Sequence, residues 1–235
     1  MKKYIFPEKL IKGLIKSRPN RFIMLVNIKG KLEKCHCPST GRIGNMEFKD
    51  IPCLVSKLEN PRRKTKYTVE AISPKSRLWV GINQTKANSY IEFFLKNNLL
   101  QKMIRSKEVA REVKLNNSRI DFRVNKNCFI EVKTPLMHLP FGNKKNDSKF
   151  TSFERLVRHF NETSFQIRKG RRAIVLLCYL YKAEKFSPPR KANHKITNPV
   201  KEATSRGLEN WQINLKMDAE GFSLIDYFKL DLLLE

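Results

Sequence analysis

In the run Arg119-Ile120-Asp121-Phe122-Arg123-Val124 every second residue is apolar, and Cys128-Phe129-Ile130-Glu131-Val132-Lys133 follows closely with an alternation of its own. Successive side chains on a strand point to opposite faces, so Asp121 shares a face with Arg119 and Arg123, and Glu131 with Phe129 and Lys133. Between the runs, Asn125-Lys126-Asn127 is a turn of residues that tolerate unusual dihedrals. A hairpin centred on Lys126 sets Asp121 opposite Glu131 and Arg119 opposite Lys133. A slip of one residue would break the shared apolar face. Opposed Cβ atoms lie roughly 4.5–5.5 Å apart, and two carboxylates at that separation repel unless a cation or a proton sits between them. Mg²⁺ takes one or two protein carboxylates, keeps waters and accepts phosphate oxygens as further ligands. The chemistry that fits is metal-assisted phosphodiester hydrolysis, with Asp121 and Glu131 holding Mg²⁺ or Mn²⁺. Lys133 would orient the attacking water or stabilise charge on the phosphorane. The plainer alternative is a solvated charged face on which Asp121 and Glu131 pair with Arg119, Arg123 and Lys133.

The elements around this hairpin read as an α/β layer. Ile91, Phe94, Leu95, Leu99 and Met103 fall at helical spacing and predict a helix over 88–104. Strands are expected over 109–115, 119–124 and 128–133, then a helix over 153–167 carrying Leu156, Val157 and Phe160 on one side. A continuous apolar strand over 173–180 completes the unit. The stretch 185–199, with Pro188-Pro189, predicts a basic surface loop, and Asn198-Pro199 the start of a short helix ending at Gly207. Upstream, residues 21–80 hold short alternating stretches separated by turn-rich segments such as Pro38-Ser39-Thr40-Gly41. That spacing predicts a small β-barrel of the oligonucleotide-binding (OB) kind. The expected organisation is therefore an α+β, two-domain chain: an OB-like barrel over 1–84 and an α/β domain over 85–235.

The chain carries 48 Lys and Arg against 22 Asp and Glu, a net charge of +26. Residues 1–84 hold 19 basic and 6 acidic residues and residues 85–235 hold 29 and 16, so each part contributes +13. An excess spread over both parts suits a polyanion lying across them, DNA or RNA. The candidate contacts are Arg21, His36, Arg119 and the cluster Arg62-Arg63-Lys64, which stands beside Tyr67, since cations neutralise the backbone while an aromatic face stacks a base. His36 reads equally as a local hydrogen-bond partner. Cys35-His36-Cys37 lacks the spacing and the second pair of a structural zinc site. The five cysteines are odd in number and irregularly spaced, which suits reduced thiols in a cytoplasmic protein. The longest apolar run, 173–181, is well short of the ~20 residues that span a bilayer. With no glycine-rich phosphate loop and no Ser-His-acid context, ATPase and acyl-transfer chemistry are set aside.

An Asp on one strand followed by Glu-x-Lys on the next, after a leading helix, resembles the PD-(D/E)xK nuclease superfamily. That resemblance implies a further metal-binding acid on the first helix, here Glu92. More specific are His36-Cys37-Pro38-Ser39-Thr40-Gly41, Asn60-Pro61-Arg62-Arg63-Lys64, Tyr67-Thr68-Val69-Glu70, Val80-Gly81-Ile82-Asn83, Ser118-Arg119-Ile120-Asp121-Phe122 and Ile130-Glu131-Val132-Lys133. Together they resemble the SfsA family, the sugar fermentation stimulation protein homologues, over most of the chain. The resemblance implies an OB barrel joined to a PD-(D/E)xK nuclease-like domain, with DNA binding and a proposed nuclease activity. It places Asp121, Glu131 and Lys133 at the presumed active-site positions and Glu112 at an acid ahead of the central hairpin. The chain departs from the family at Ser148-Lys149-Phe150-Thr151-Ser152-Phe153, where a Phe-Pro-Asp-Ala-Val-Thr stretch is usual, so one acid is missing. Glu154-Arg155 and His159 recur. Two functional classes are carried forward: a Mg²⁺-dependent nuclease, and a non-catalytic DNA-binding regulator on the same scaffold. Both bind without strong sequence preference, because no recognition helix is evident. Oligomeric state is open, a homodimer included.

Overall fold

The structure is a computed structural model that describes residues 2–39, 43, 46–58, 62–74, 78–115, 118–136, 139, 171–187 and 194–232. After a short strand β1 (Tyr4–Ile5), the alternating stretches form β2 (Ile11–Asn20), β3 (Ile23–Ile28), β4 (Lys31–His36), β5 (Ile51–Lys57), β6 (Tyr67–Ile72) and a two-residue β7 (Val80–Gly81). Their order is β4-β3-β2-β5-β6-β7, and a parallel pairing of Cys35 with Tyr67 and His36 with Thr68 joins β4 to β6 and closes the barrel. Closure leaves no free edge between these strands. Along β3 the period of two puts Met24, Val26 and Ile28 inside, while Ile23, Leu25 and Asn27 remain half-exposed. Lys29 and Gly30 both take positive φ, 51° and 85°, making the tight hairpin into β4. Cys35, Cys37 and Cys53 fill the barrel interior. Burial pushes the Cys35 and Cys53 thiols up to about 12, so they behave as small apolar groups.

The second sheet contains β8 (Val109–Leu115), β9 (Ser118–Val124), β10 (Cys128–Lys133), β11 (Arg172–Tyr179), β12 (Glu209–Met217) and β13 (Gly221–Leu230), in the order β1-β13-β12-β11-β10-β9-β8. Pairing is parallel from β10 through β11 to β12 and antiparallel at both flanks. Helix α1 (Ala87–Lys96) covers one face, packing Tyr90, Ile91, Phe94 and Leu95 against Phe122, Ile130, Ile174 and Phe222. The other face presents Val175, Leu177 and Tyr179 to a cluster shared with the barrel's Ile72, Val80 and Ile82 and with Ala203 of helix α2 (His194–Ser205). β11 is thus buried on both sides, which is why its sequence is an unbroken apolar run.

Several sequence expectations change. The helix expected over 88–104 ends at Lys96, because Asn98 turns left-handed at φ 52°. Leu100 and Met103 reach the same core from the following turns. The short helix begins at His194, earlier than Asn198, taking in part of the stretch expected to be a loop. β12 and β13 were not anticipated. Within the span 1–84 assigned to the barrel, β1 pairs instead with β13, and Tyr4 and Phe6 pack on Tyr90 and Phe222. The helix over 153–167, with Glu154, Arg155 and His159, and the departure at Ser148–Phe153 lie outside the described residues. Among the described residues no helix is long and apolar enough to cross a membrane.

Gly81 shows how closely the two sheets approach. Its N–H donates to the Leu180 carbonyl at 3.0 Å, and a Cβ there would meet Leu180 Cβ at 2.8 Å and Phe222 at 3.0 Å. Gly81→Ala is expected to cost about 1–3 kcal/mol through overpacking, read by urea unfolding. An unchanged midpoint would show that the junction can relax.

Candidate carboxylate site and barrel mouth

The hairpin forms in the expected register, with Val124 opposite Cys128, Arg123 opposite Phe129 and Phe122 opposite Ile130. Asn125 and Lys126 take φ of 50° and 66° in the turn. At Asp121 the backbone leaves the ladder. The β8–β9 pairing passes from Arg111–Phe122 to Val113–Ile120 and steps over Glu112 and Asp121, and Glu112 sits at φ 50°. The Asp121 side chain takes over the missing role: Oδ2 accepts the Val132 N–H at 2.7 Å, and Oδ1 accepts the Asn88 amide of α1, also at 2.7 Å. Glu131 is 5% exposed, and Lys133 Nζ donates to its Oε1 at 2.6 Å. Burial pushes the Glu131 carboxyl above its ordinary range and the Asp121 charge adds to this, against the opposing Lys133.

The cations offered by the plainer, solvated-face reading are engaged elsewhere. Arg119 pairs with Glu112 at 3.2 Å and Arg123 with Glu108 at 3.5 Å, while Lys133 is the cation paired with Glu131. Asp121 and Glu131 are hard oxygen donors on neighbouring strands, and the burial of Glu131 together with the Asp121 charge carries an electrostatic cost that a cation would relieve. This donor set fits Mg²⁺ or Mn²⁺, which need one or two carboxylates and complete their shell with water and phosphate. Glu92 is held by Lys96 at 2.7 Å and Arg111 at 3.1 Å. Glu112 lies opposite Asp121 in register, with its carboxylate turned to Arg119. Among the described residues no three of His, Cys, Asp and Glu come together as a metal-binding group. The helix residue that does reach the site is Asn88, one turn before Glu92. Gln84, which donates to the Thr134 carbonyl next to Lys133, is a second contact the sequence reading did not single out. An amide side chain carries no charge pattern by which either could be recognised.

The basic candidates of the first half gather at one end of the barrel. Ile23 pairs with His36 and His36 with Thr68, so the β2–β3 turn holding Arg21 and Phe22, the end of β4 and the start of β6 are neighbours. Arg63, from the connection between β5 and β6, donates to Thr68 Oγ1 at 3.2 Å. Arg62 and Lys64 are exposed beside it. Burial, reinforced by the Arg63 charge, holds the His36 imidazole below its ordinary range. Phe22 is 45% exposed, with the Arg21 guanidinium 4.7 Å from its ring centroid. Cys35 and Cys37 point into the barrel while His36 between them does not, so the three donors of Cys35-His36-Cys37 diverge.

A barrel closed by a parallel strand pair, followed by a mixed sheet with two carboxylates on its β9–β10 hairpin, defines a two-domain class: an OB domain with an α/β domain behind it. Residues 17–82 match the SfsA N-terminal OB domain and residues 85–221 the sugar fermentation stimulation protein RE domain. The chain belongs to the SfsA family. It is 30% identical over 223 residues to the sugar fermentation stimulation protein homolog of Clostridium beijerinckii, across 93% of this chain and 96% of that one. It is 27% identical over 230 residues to the homolog of Methanobrevibacter smithii, across 92% and 94%. Its fold is similar to that of Pyrococcus furiosus SfsA, whose structure was solved in complex with Ca²⁺, with a TM-score of 0.75 at 23% identity over 95% of this chain and 96% of that one.

Proposed function

We propose that this protein is a nucleic-acid-binding, Mg²⁺- or Mn²⁺-dependent phosphodiesterase of the PD-(D/E)xK kind, cutting DNA or RNA that its barrel holds. The observation that carries the reading is a hairpin on which Lys133 pairs with buried Glu131 and Asp121, bonded to the next amide, adds its charge to that carboxyl, while the neighbouring arginines pair with Glu112 and Glu108. Bound by the two carboxylates, the metal would polarise a phosphoryl oxygen and lower the pKa of a bound water. Val132 and Asn88 fix the orientation of the Asp121 carboxylate. Lys133, paired with Glu131, would orient the attacking water and offset charge on the phosphorane. The Ca²⁺ held by the Pyrococcus furiosus relative supports a site for a hard divalent cation, since Ca²⁺ and Mg²⁺ share oxygen ligands.

The test is cleavage of labelled single- and double-stranded DNA and RNA by purified protein, with Mg²⁺, with Mn²⁺ and with chelator. Metal-dependent cleavage that disappears in Glu131→Ala, with binding retained, supports the enzyme. Equal activity in wild type and variant marks a contaminant. Salt-sensitive binding with no cleavage under any metal leaves the regulator reading in its place.

At the barrel mouth the exposed Phe22 ring is a stacking surface. Stacking contributes about 1–3 kcal/mol per base, so Phe22→Ala is expected to weaken single-stranded oligonucleotide binding by about tenfold in a fluorescence anisotropy titration. Because stacking is uncharged, the salt slope should stay constant while affinity drops. A slope change with Phe22→Ala would show that the mouth had been rearranged.

A further inference from the structure

The barrel and the carboxylate site are joined through one buried acid. Glu70 of β6 has a side chain that is only 1% exposed. Its Oε1 accepts Ser56 Oγ at 2.6 Å and Lys86 Nζ at 2.7 Å, and its Oε2 accepts the Asn83 amide at 2.7 Å. Its main-chain carbonyl also accepts the Ile82 N–H at 2.8 Å. Asn83 and Lys86 bracket the 3₁₀ turn that leads into α1, with Thr85 bonded back to Asn83 at 2.6 Å. Two residues beyond Lys86, Asn88 holds Asp121. From the same turn, Gln84 holds the Thr134 carbonyl beside Lys133. α1 enters with Lys86 at its N-cap and no side-chain cap bond of its own, and the contacts of Asn83 and Lys86 to Glu70 help to anchor this end.

We infer that Glu70 is a positioning residue for the Asp121–Glu131–Lys133 site: by gripping Lys86 and Asn83 it sets where Asn88 and Gln84 meet the two ends of the hairpin's reactive stretch. This rests on the reading of that hairpin as a metal site. A residue that orients a ligand typically contributes about 10–100-fold to metal affinity or activity. The position of Glu70 on a barrel strand makes the OB domain part of the catalytic apparatus as well as a strand holder.

Two full-length variants, Glu70→Gln and Lys86→Met, separate positioning from simple electrostatics. Removing a negative charge would weaken cation binding by Coulomb's law, and removing a positive charge would tighten it. If Glu70 and Lys86 act together to place α1, both variants weaken it. The measurement is Mn²⁺ affinity by isothermal titration calorimetry, alongside kcat and KM on an oligonucleotide and the melting temperature. The expected result is a loss of about 10–100-fold in Mn²⁺ affinity and in kcat for each variant, with KM nearly unchanged and the double variant no worse than the worse single. Wild-type Mn²⁺ affinity and kcat in either folded variant would overturn the inference, even with a lowered melting temperature, as would tighter Mn²⁺ binding in Lys86→Met. If wild type itself binds no Mn²⁺, the reading of the hairpin fails first, and the inference with it.

Discussion

Glu131→Gln is expected to raise the melting temperature of the metal-free protein at neutral pH while abolishing metal-dependent cleavage. The carboxyl is buried, and burial, with the Asp121 charge added, outweighs the attraction of Lys133, so its folded-state pKa lies above the ordinary 4.5. As pH rises from 4.5 through that raised value, the folded chain still holds a proton that the unfolded chain has released. Stability therefore falls over this window, and the full contribution is present only below it. Glutamine has no proton to lose and keeps the shape. The two proteins should melt together at pH 4 and separate as pH increases, the variant being the more stable. Melting curves from pH 4 to 8 check this, and a variant that melts below wild type at pH 8 would show that the Lys133 ion pair outweighs burial. The expected trade, stability gained where function is lost, is the ordinary signature of a site whose charges are arranged for a ligand instead of for folding.

What could be read in the sequence, and what could not, follows from the same physics. The hairpin was legible because one face of β9 is apolar and the other charged, and because a turn of Asn, Lys and Asn fixes the register. In β12 it is the burial of both faces that the sequence conceals, because its alternate residues Asn210, Gln212 and Asn214 are polar and yet buried. The Gln212 and Asn214 amides are satisfied by partners outside the strand: Gln212 by the Glu184 carbonyl and the Phe186 N–H, Asn214 by the Ala183 carbonyl and Asp226. A polar–apolar alternation of this kind predicts a half-exposed strand and gives no sign that a loop will cover its polar side. The acid expected from α1 illustrates a different limit. Helical spacing places Glu92 on the helix, but Arg111 of β8, far along the chain, decides where its carboxylate points. Asn88 takes the contact with Asp121 through a hydrogen bond that leaves no trace in charge or periodicity.

Under the proposed function Asp121 both braces β10 and binds the cation, and one substitution can separate the two. Asp121→Ala removes the acceptor of the Val132 N–H, whose residue is 8% exposed, in a segment where β9 gives that amide no backbone partner. A buried donor left unpaired costs about 1–3 kcal/mol, and Asp121→Ala should lose stability of that order in urea unfolding as well as all cleavage. Asp121→Asn keeps a carbonyl oxygen for Val132, and Asn88 can rotate its amide to meet the new one. It should therefore unfold close to wild type while its cleavage is also gone, because a neutral amide holds a divalent cation poorly. The difference in stability between the two variants isolates the hydrogen bond, and their shared loss of activity isolates the charge. Equal stabilities would mean that Val132 finds another acceptor and that the break in the ladder at Asp121 is tolerated without it. Activity surviving in Asp121→Asn would mean that Glu131 alone holds the metal. Val132 directly follows Glu131, so the bond from Asp121 to its amide ties the two carboxylate-bearing strands together at the point where backbone pairing is interrupted, and the proposed cation would bind where that brace holds them.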